Sequence, residues 1–116
     1  MTVLAHITDE HFGDVPVVSI DGEVDASNSE EIADRLRAAL NNRSHALIVD
    51  LSRTTYIDSA GINVLFELSV ALRERQQELH LVVTDPSPIA RMLAIVGLDA
   101  AVPTHRTRAA ALEQAG

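Results

Sequence analysis

Ala46-Leu47-Ile48-Val49-Asp50-Leu51 is an apolar run of strand length, interrupted only by Asp50. A strand with one wet face alternates apolar and polar residues. This one does not, so it predicts a central strand covered on both faces, the usual setting of a parallel strand between helices. Downstream, Tyr56-Ile57-Asp58-Ser59-Ala60-Gly61 leads into a helix expected to run to about Gln76, and Leu79 to Thr84 reads as a second buried strand. Asp85-Pro86-Ser87-Pro88 is a turn delivering a third helix, with Ser87 as cap, Pro88 at the first helical position and Gly97 at the end. A short apolar step near Val102 precedes an Ala-rich helix from about Thr107 to the C-terminus.

Upstream, Val3 to Phe12 and Val15 to Ile20 read as a hairpin turning at Gly13-Asp14, with Asp21-Gly22 ending its second strand. Pro16 places one end of that strand where a missing N–H does no harm. Ser27 with Glu30, or Asn28 with Glu31, fits a capping box. Ile32, Leu36 and Leu40 then repeat every four residues as the apolar stripe of a first helix. An initial hairpin followed by strand–helix alternation predicts one α/β domain over residues 1–116: a mixed sheet of about five strands covered by about four helices.

The composition narrows the function classes. Of 116 residues, 47% are apolar and only 3% aromatic, so the core is expected to be aliphatic. Absence of cysteine excludes disulfides, thiolate metal sites and cysteine nucleophiles. The formal net charge is −8 and there is no lysine, which disfavours nucleic acid and anionic membranes and removes the cation of a P-loop. Met1 to Glu10 lack the pattern of a signal peptide, and no apolar stretch approaches a membrane span, so a cytoplasmic location is expected.

Ser59 begins the second helix. At about 100° per residue, Gly61, Val64, Leu65, Leu68, Ala71 and Leu72 gather on the opposite side as a core stripe. Ile62, Asn63, Phe66 and Val70 lie within about 60° of Ser59, flanked by Glu67, Arg73 and Glu74. Such a second strip, apolar with a charged rim, has the make-up of a partner-binding surface, or packs on a neighbouring helix. Ser59 itself fits the N-cap position of that helix.

The run Val49-Asp50-Leu51-Ser52 … Tyr56-Ile57-Asp58-Ser59-Ala60-Gly61-Ile62 resembles the signature of STAS domains, specifically the bacterial anti-sigma factor antagonists. Ile20-Asp21-Gly22-Glu23-Val24-Asp25 is similar to their second-strand exit. Asp85-Pro86-Ser87-Pro88 … Leu93 … Val96-Gly97-Leu98 is similar to their turn and third helix. The resemblance implies the STAS fold and a non-enzymatic regulator. It implies that Ser59 is the phosphoacceptor of a partner that is both anti-sigma factor and serine kinase. The unphosphorylated form would bind that partner and free a sigma factor, and a serine phosphatase would reset the cycle. By the same resemblance Asp25, Asp58, Ser59, Ala60, Ile62, Asn63, Phe66 and Val70 form the partner-binding set. Ala60 leaves Ser59 as the lone hydroxyl of its pair, and Asn63 stands where relatives carry a small residue. The alternative is a constitutive STAS subunit of a lipid-transport ATPase complex or a signalling scaffold, docked without phosphorylation.

Other constellations carry less. Asp50 ends a strand as a receiver-domain phosphoacceptor does, but the required lysine is missing. Asp21, Glu23 and Asp25 alternate without calcium-loop spacing, so no metal is expected. His6, His11, His45, His80 and His105 are scattered and read as surface or strand-end residues. No residue calls for a cofactor, and the nucleophile-elbow and dinucleotide glycine patterns are absent.

Overall fold

The computed structural model describes residues 4–115, so Val3 of the expected first strand lies outside the described residues. The elements run β1 (Ala5–Phe12), β2 (Val15–Val24), α1 (Ser29–Ala39), β3 (Ala46–Asp50), β4 (Thr54–Ile57), α2 (Ser59–Glu74), β5 (Glu78–Val82), α3 (Pro88–Val96), α4 (Leu98–Ala101), β6 (Thr104–His105) and α5 (Arg108–Ala115). The strands form one mixed sheet in the order β1-β2-β3-β5-β6, with β4 paired to β2. Among the described residues only the β1–β2 hairpin is antiparallel. The α/β class and the initial hairpin stand as expected. Among the described residues the strands number six and the helices five.

All five residues of β3 are buried. Alternation sorts them between two layers. Leu47 and Val49, with Val18, Ile20 and Leu81, join the main core, which α1, α2 and α3 fill with Ile32, Leu36, Leu65, Leu68, Leu72 and Leu93. Ile48, with Val17 and Val82, faces the opposite side and is covered by Ala111 of α5. The doubly covered strand expected from its near-continuous apolar run is therefore present.

Asp21-Gly22 does not end β2. The strand continues to Val24 but changes partner: Val17–Ser19 pair with β3, and Gly22–Val24 pair with β4 across a register shift at Gly22/Glu23. Gly22 has φ +130°, and a Cβ there would collide with the Leu4 carbonyl oxygen, so only glycine fits this kink. β4 was not foreseen. With four residues and an exposed Thr55-Tyr56 centre, it carries neither an apolar run nor regular alternation.

Neither capping box forms on α1. Asn28 is the N-cap by position, yet its side chain folds back: Oδ1 accepts from the Asp25 N–H at 2.9 Å, and Nδ2 donates to the Glu23 carbonyl at 2.8 Å. The amide stitches the β2–α1 loop instead of capping the helix. α3 matches expectation, with Ser87 Oγ accepting from the Ala90 N–H at 3.1 Å, Pro88 in the first turn and a left-handed Gly97 at the C-cap.

Candidate functional site

β2 and β4 run parallel, with Val24 opposite Ile57. Their first residues past the pairing, Asp25 and Asp58, therefore emerge side by side, one strand spacing of about 4.8 Å apart. Ser59 follows directly. This is the carboxyl end of two parallel strands, with β4 on the same side of β2 as β3 and opposite β1.

Asp58, not Ser59, caps α2. Its Oδ1 accepts from the Ala60 N–H at 2.9 Å and the Gly61 N–H at 3.2 Å, with an extended N-cap backbone. Capping fits aspartate well, because a carboxylate accepts several N–H groups and sits favourably at the positive end of the helix dipole. Ser59 becomes the first helical residue, and it is exposed. Its hydroxyl is not needed to hold the helix. This corrects the expectation of a serine cap.

Gly61 determines how closely α2 approaches the sheet. A Cβ there would come within 2.6 Å of Ile57 Cγ1 and 2.7 Å of Val24 Cγ1. Glycine thus lets the first turn of α2, which Ser59 opens, sit on the ends of β2 and β4. The Asp25 Oδ1 accepts from the Ser27 hydroxyl and from the Ser27 N–H at 2.8 Å. The Ser27 hydroxyl first, then that N–H, hold the Asp25 carboxyl below the usual carboxylate range, so it is ionised at neutral pH.

The expected strip on α2 is present with one subtraction. Asn63 and Val70 are exposed, Val70 at 53%, and Phe66 is half-buried against the main core. Ala60 is half-exposed beside the cap. Ile62 is 5% exposed and belongs to the core, so it adds nothing to the surface. Ala71, expected inside, is exposed. The buried arc of α2 (Gly61, Ile62, Leu65, Leu68, Ser69, Leu72) centres about 240° from Ser59 rather than opposite it. Rotation of the arc takes Ile62 inward and turns Ala71 out.

Two polar clusters elsewhere were not foreseen. Arg108 of α5 donates from Nε to Asp50 at 2.7 Å, from Nη1 to Glu10 at 2.8 Å and from Nη2 to Ser19. Burial raises the Asp50 carboxyl pKa, but the hydrogen bonds from Arg108 and Ser52 outweigh burial and leave it below the usual range. Asp50 therefore anchors α5 to the sheet. On β5, His80 is 3% exposed, which corrects its expected place at the surface. Its Nε2 lies 3.1 Å from Glu78 Oε2 and its Nδ1 lies 3.0 Å from His105 Nε2. Glu78 is two residues away on the same strand, whereas His105 lies 25 residues on and carries no local signal. Among the described residues no group of three or more histidine, aspartate or glutamate side chains is placed to hold a metal ion, and no helix is long and apolar enough to cross a membrane.

A sheet with this order, a serine-led helix beside the end of the second strand and a closing helix on the far face together define a class, and the chain matches the STAS domain family over residues 6–111. It belongs to that family. BtrV of Bordetella bronchiseptica, assigned as an anti-sigma factor antagonist, is 30% identical over 95 residues, covering 82% of this chain and 81% of the relative. The anti-sigma-B factor antagonist of Listeria monocytogenes is 31% identical over 64 residues, 55% of this chain and 56% of that protein. Among solved structures, an anti-sigma factor antagonist from Mycobacterium paratuberculosis superposes with a TM-score of 0.81 at 25% identity, covering 96% of this chain and 93% of that one. The anti-sigma factor antagonist SpoIIAA in its unphosphorylated form shares the fold, with a TM-score of 0.72 at 18% identity over 94% of this chain and 95% of that one.

Proposed function

We propose that this domain is an anti-sigma factor antagonist whose binding is switched at Ser59. In its unphosphorylated form it binds an anti-sigma factor that is also a serine kinase, and a sigma factor is released. Phosphorylation of Ser59 ends that binding, and a serine phosphatase restores it. The domain is a binding module and kinase substrate in the cytoplasm, not an enzyme, and needs no cofactor.

The observation carrying this reading is an exposed serine at the first helical position whose capping role has been taken by its neighbour. A kinase can reach such a hydroxyl without unfolding a turn. The added group brings a charge of about −1.5 to −2 at pH 7. At a helix N-terminus that charge is tolerated, so the fold survives. At the interface it is not: a dianion close to the Asp25 carboxylate and the capping Asp58 would have to be desolvated against the partner. An unpaired interfacial charge costs about 2–5 kcal/mol, or roughly 30-fold to several thousandfold in affinity.

Incubating the chain with ATP and the anti-sigma factor kinase of its own organism, then mapping phosphate by mass spectrometry, tests the assignment. Label is expected on Ser59 and absent from Ser59→Ala. Phosphate retained in Ser59→Ala would remove Ser59 from this role.

A further inference from the structure

Ile95 of α3 is 77% exposed, more than any other large apolar residue among the described residues. Its surroundings follow from helical geometry. Ile89 and Leu93 are buried in the main core. At about 100° per residue, the outward line of α3 therefore runs through Pro88, Arg91 and Ile95, within about 60° of arc, with half-buried Met92 beside it. Val96 at the end of the helix is 42% exposed. The face is apolar apart from Arg91, and α3 carries no acidic residue although the chain has a net charge of −8. Arg91 is exposed and makes no ion pair among the described residues, and the same holds for Asp99, just beyond Gly97. Arg91, Ala94 and Asp99 line one cavity of about 380 Å³. The two charges thus flank Ile95 on the same side, one toward each end of the helix.

We propose that this face is a self-association surface: two copies of the chain pack α3 against α3, antiparallel about a two-fold axis at Ile95. Charge complementarity selects the occupant and the orientation. In a two-fold contact, residue i meets j and j meets i. With the axis at Ile95, Arg91 lies four residues before it and Asp99 four after, so each Arg91 meets the Asp99 of the other copy. Ile95 packs on its own counterpart, with Met92 and Val96 around it. A parallel pairing would set Arg91 against Arg91 and Asp99 against Asp99, which like-charge repulsion disfavours. The net charge of −8 opposes approach, but charges more than about 8 Å apart are largely screened at physiological ionic strength. The sheet edges offer no competing route. On β1, Arg35 donates to the Ile7 carbonyl at 3.3 Å and lies 3.5 Å from Asp9, and β6 at the other edge is two residues long. A face built on one short helix makes a small interface, so association belongs in the micromolar to millimolar range. The contact lies on a different helix from Ser59 and stands or falls apart from the switch proposed there.

Sedimentation velocity on the full chain, over protein concentrations from micromolar to millimolar, tests this. A monomer passing into a dimer of twice the mass is expected. Ile95→Asp should weaken dimerisation about tenfold or more, as loss of a central apolar anchor does. Ile95 is exposed, so the melting temperature of dilute Ile95→Asp should match that of the parent. Arg91→Asp sets two carboxylates against each other twice and should weaken the dimer about threefold to tenfold. Adding Asp99→Arg to Arg91→Asp reverses both members of each pair and should restore it. A chain that stays monomeric throughout would overturn the proposal, as would a dimer untouched by Ile95→Asp or one dissociated instead by Val70→Asp on α2. A double reversal no better than Arg91→Asp alone would overturn the antiparallel pairing.

Discussion

Replacing Asp58 and Ser59 in turn separates the residue that holds the helix from the residue left free. Asp58 Oδ1 satisfies two otherwise unpaired N–H groups of α2, at 2.9 Å and 3.2 Å. Loss of an N-cap of this kind costs about 1 kcal/mol, with a range of about 0.5–2. Unfolding entropy near 60 °C is about 2.1 cal/mol/K per residue, so a domain of 116 residues loses roughly 4 °C of melting temperature per kcal/mol. Asp58→Ala should therefore melt about 4 °C lower. Asp58→Asn keeps an acceptor oxygen and loses only the dipole term of some tenths of a kcal/mol, so it should melt within about 2 °C of the parent. Ser59→Ala removes an exposed hydroxyl that caps nothing and should melt within about 1 °C. Scanning calorimetry at pH 7 on the three variants reads all of this. A fall of several degrees in Ser59→Ala, with Asp58→Ala unaffected, would refute the reasoning, because it would make the serine the cap and leave its oxygen engaged.

Three further perturbations follow from the same geometry. Arg108→Ala strands Asp50, whose carboxylate is 6% exposed, and should destabilise by about 2–3 kcal/mol in urea titration. The Asp50 pKa is depressed, so its contribution is fully present above the ordinary carboxylate value and is lost as pH falls through its folded value. Arg108→Ala should therefore show less acid destabilisation than the parent. The His105 pKa is lowered, by burial first and then by the charge of His80, so the folded state binds fewer protons. Its contribution is complete above about pH 6.5 and declines as pH drops from there toward the folded value, and His105→Asn should flatten urea midpoints measured between pH 8 and 5. Gly61→Ala drives a Cβ to 2.6 Å from Ile57 and should cost about 1–3 kcal/mol despite alanine's better helix propensity, with little loss at a surface glycine such as Gly13→Asn as the comparison.

The parts of the fold legible in the sequence are those where one local rule acts alone. The Ala46–Leu51 run, apolar except for Asp50, reads as a doubly covered strand. Ser87, Pro88 and Gly97 bracket α3 because cap, first-turn and left-handed positions each demand a residue type. Where two rules compete, the local one misleads. Asp21-Gly22 has turn composition, yet tertiary pairing uses the glycine to kink β2 toward β4. Asn28 suits a cap, yet the loop before it needs its amide more. Ile62 falls on the outer side only if the buried arc of α2 centres opposite Ser59. The close seating allowed by Gly61 brings the first turn down onto Val24 and Ile57 and rotates that arc. Arg108 carries no local signature, since its partners Asp50, Ser19 and Glu10 lie 58, 89 and 98 residues away. The exposed face of α2 was legible at Ser59, Asn63 and Val70 because helical periodicity puts them on one side, whereas Asp25 and Asp58 were named through the resemblance and the Val24–Ile57 pairing shows only where the strands deliver them.

The account turns on an unengaged oxygen that can gain charge without disturbing α2. Calorimetric titration of the anti-sigma kinase into matched samples with and without phosphate on Ser59, alongside the melting temperature of each sample, addresses this in one comparison. Binding should weaken by about 30-fold or more on phosphorylation while the melting temperature moves by no more than about 2 °C. Equal affinity in the two samples, or a phosphorylated domain that melts many degrees lower, would contradict it.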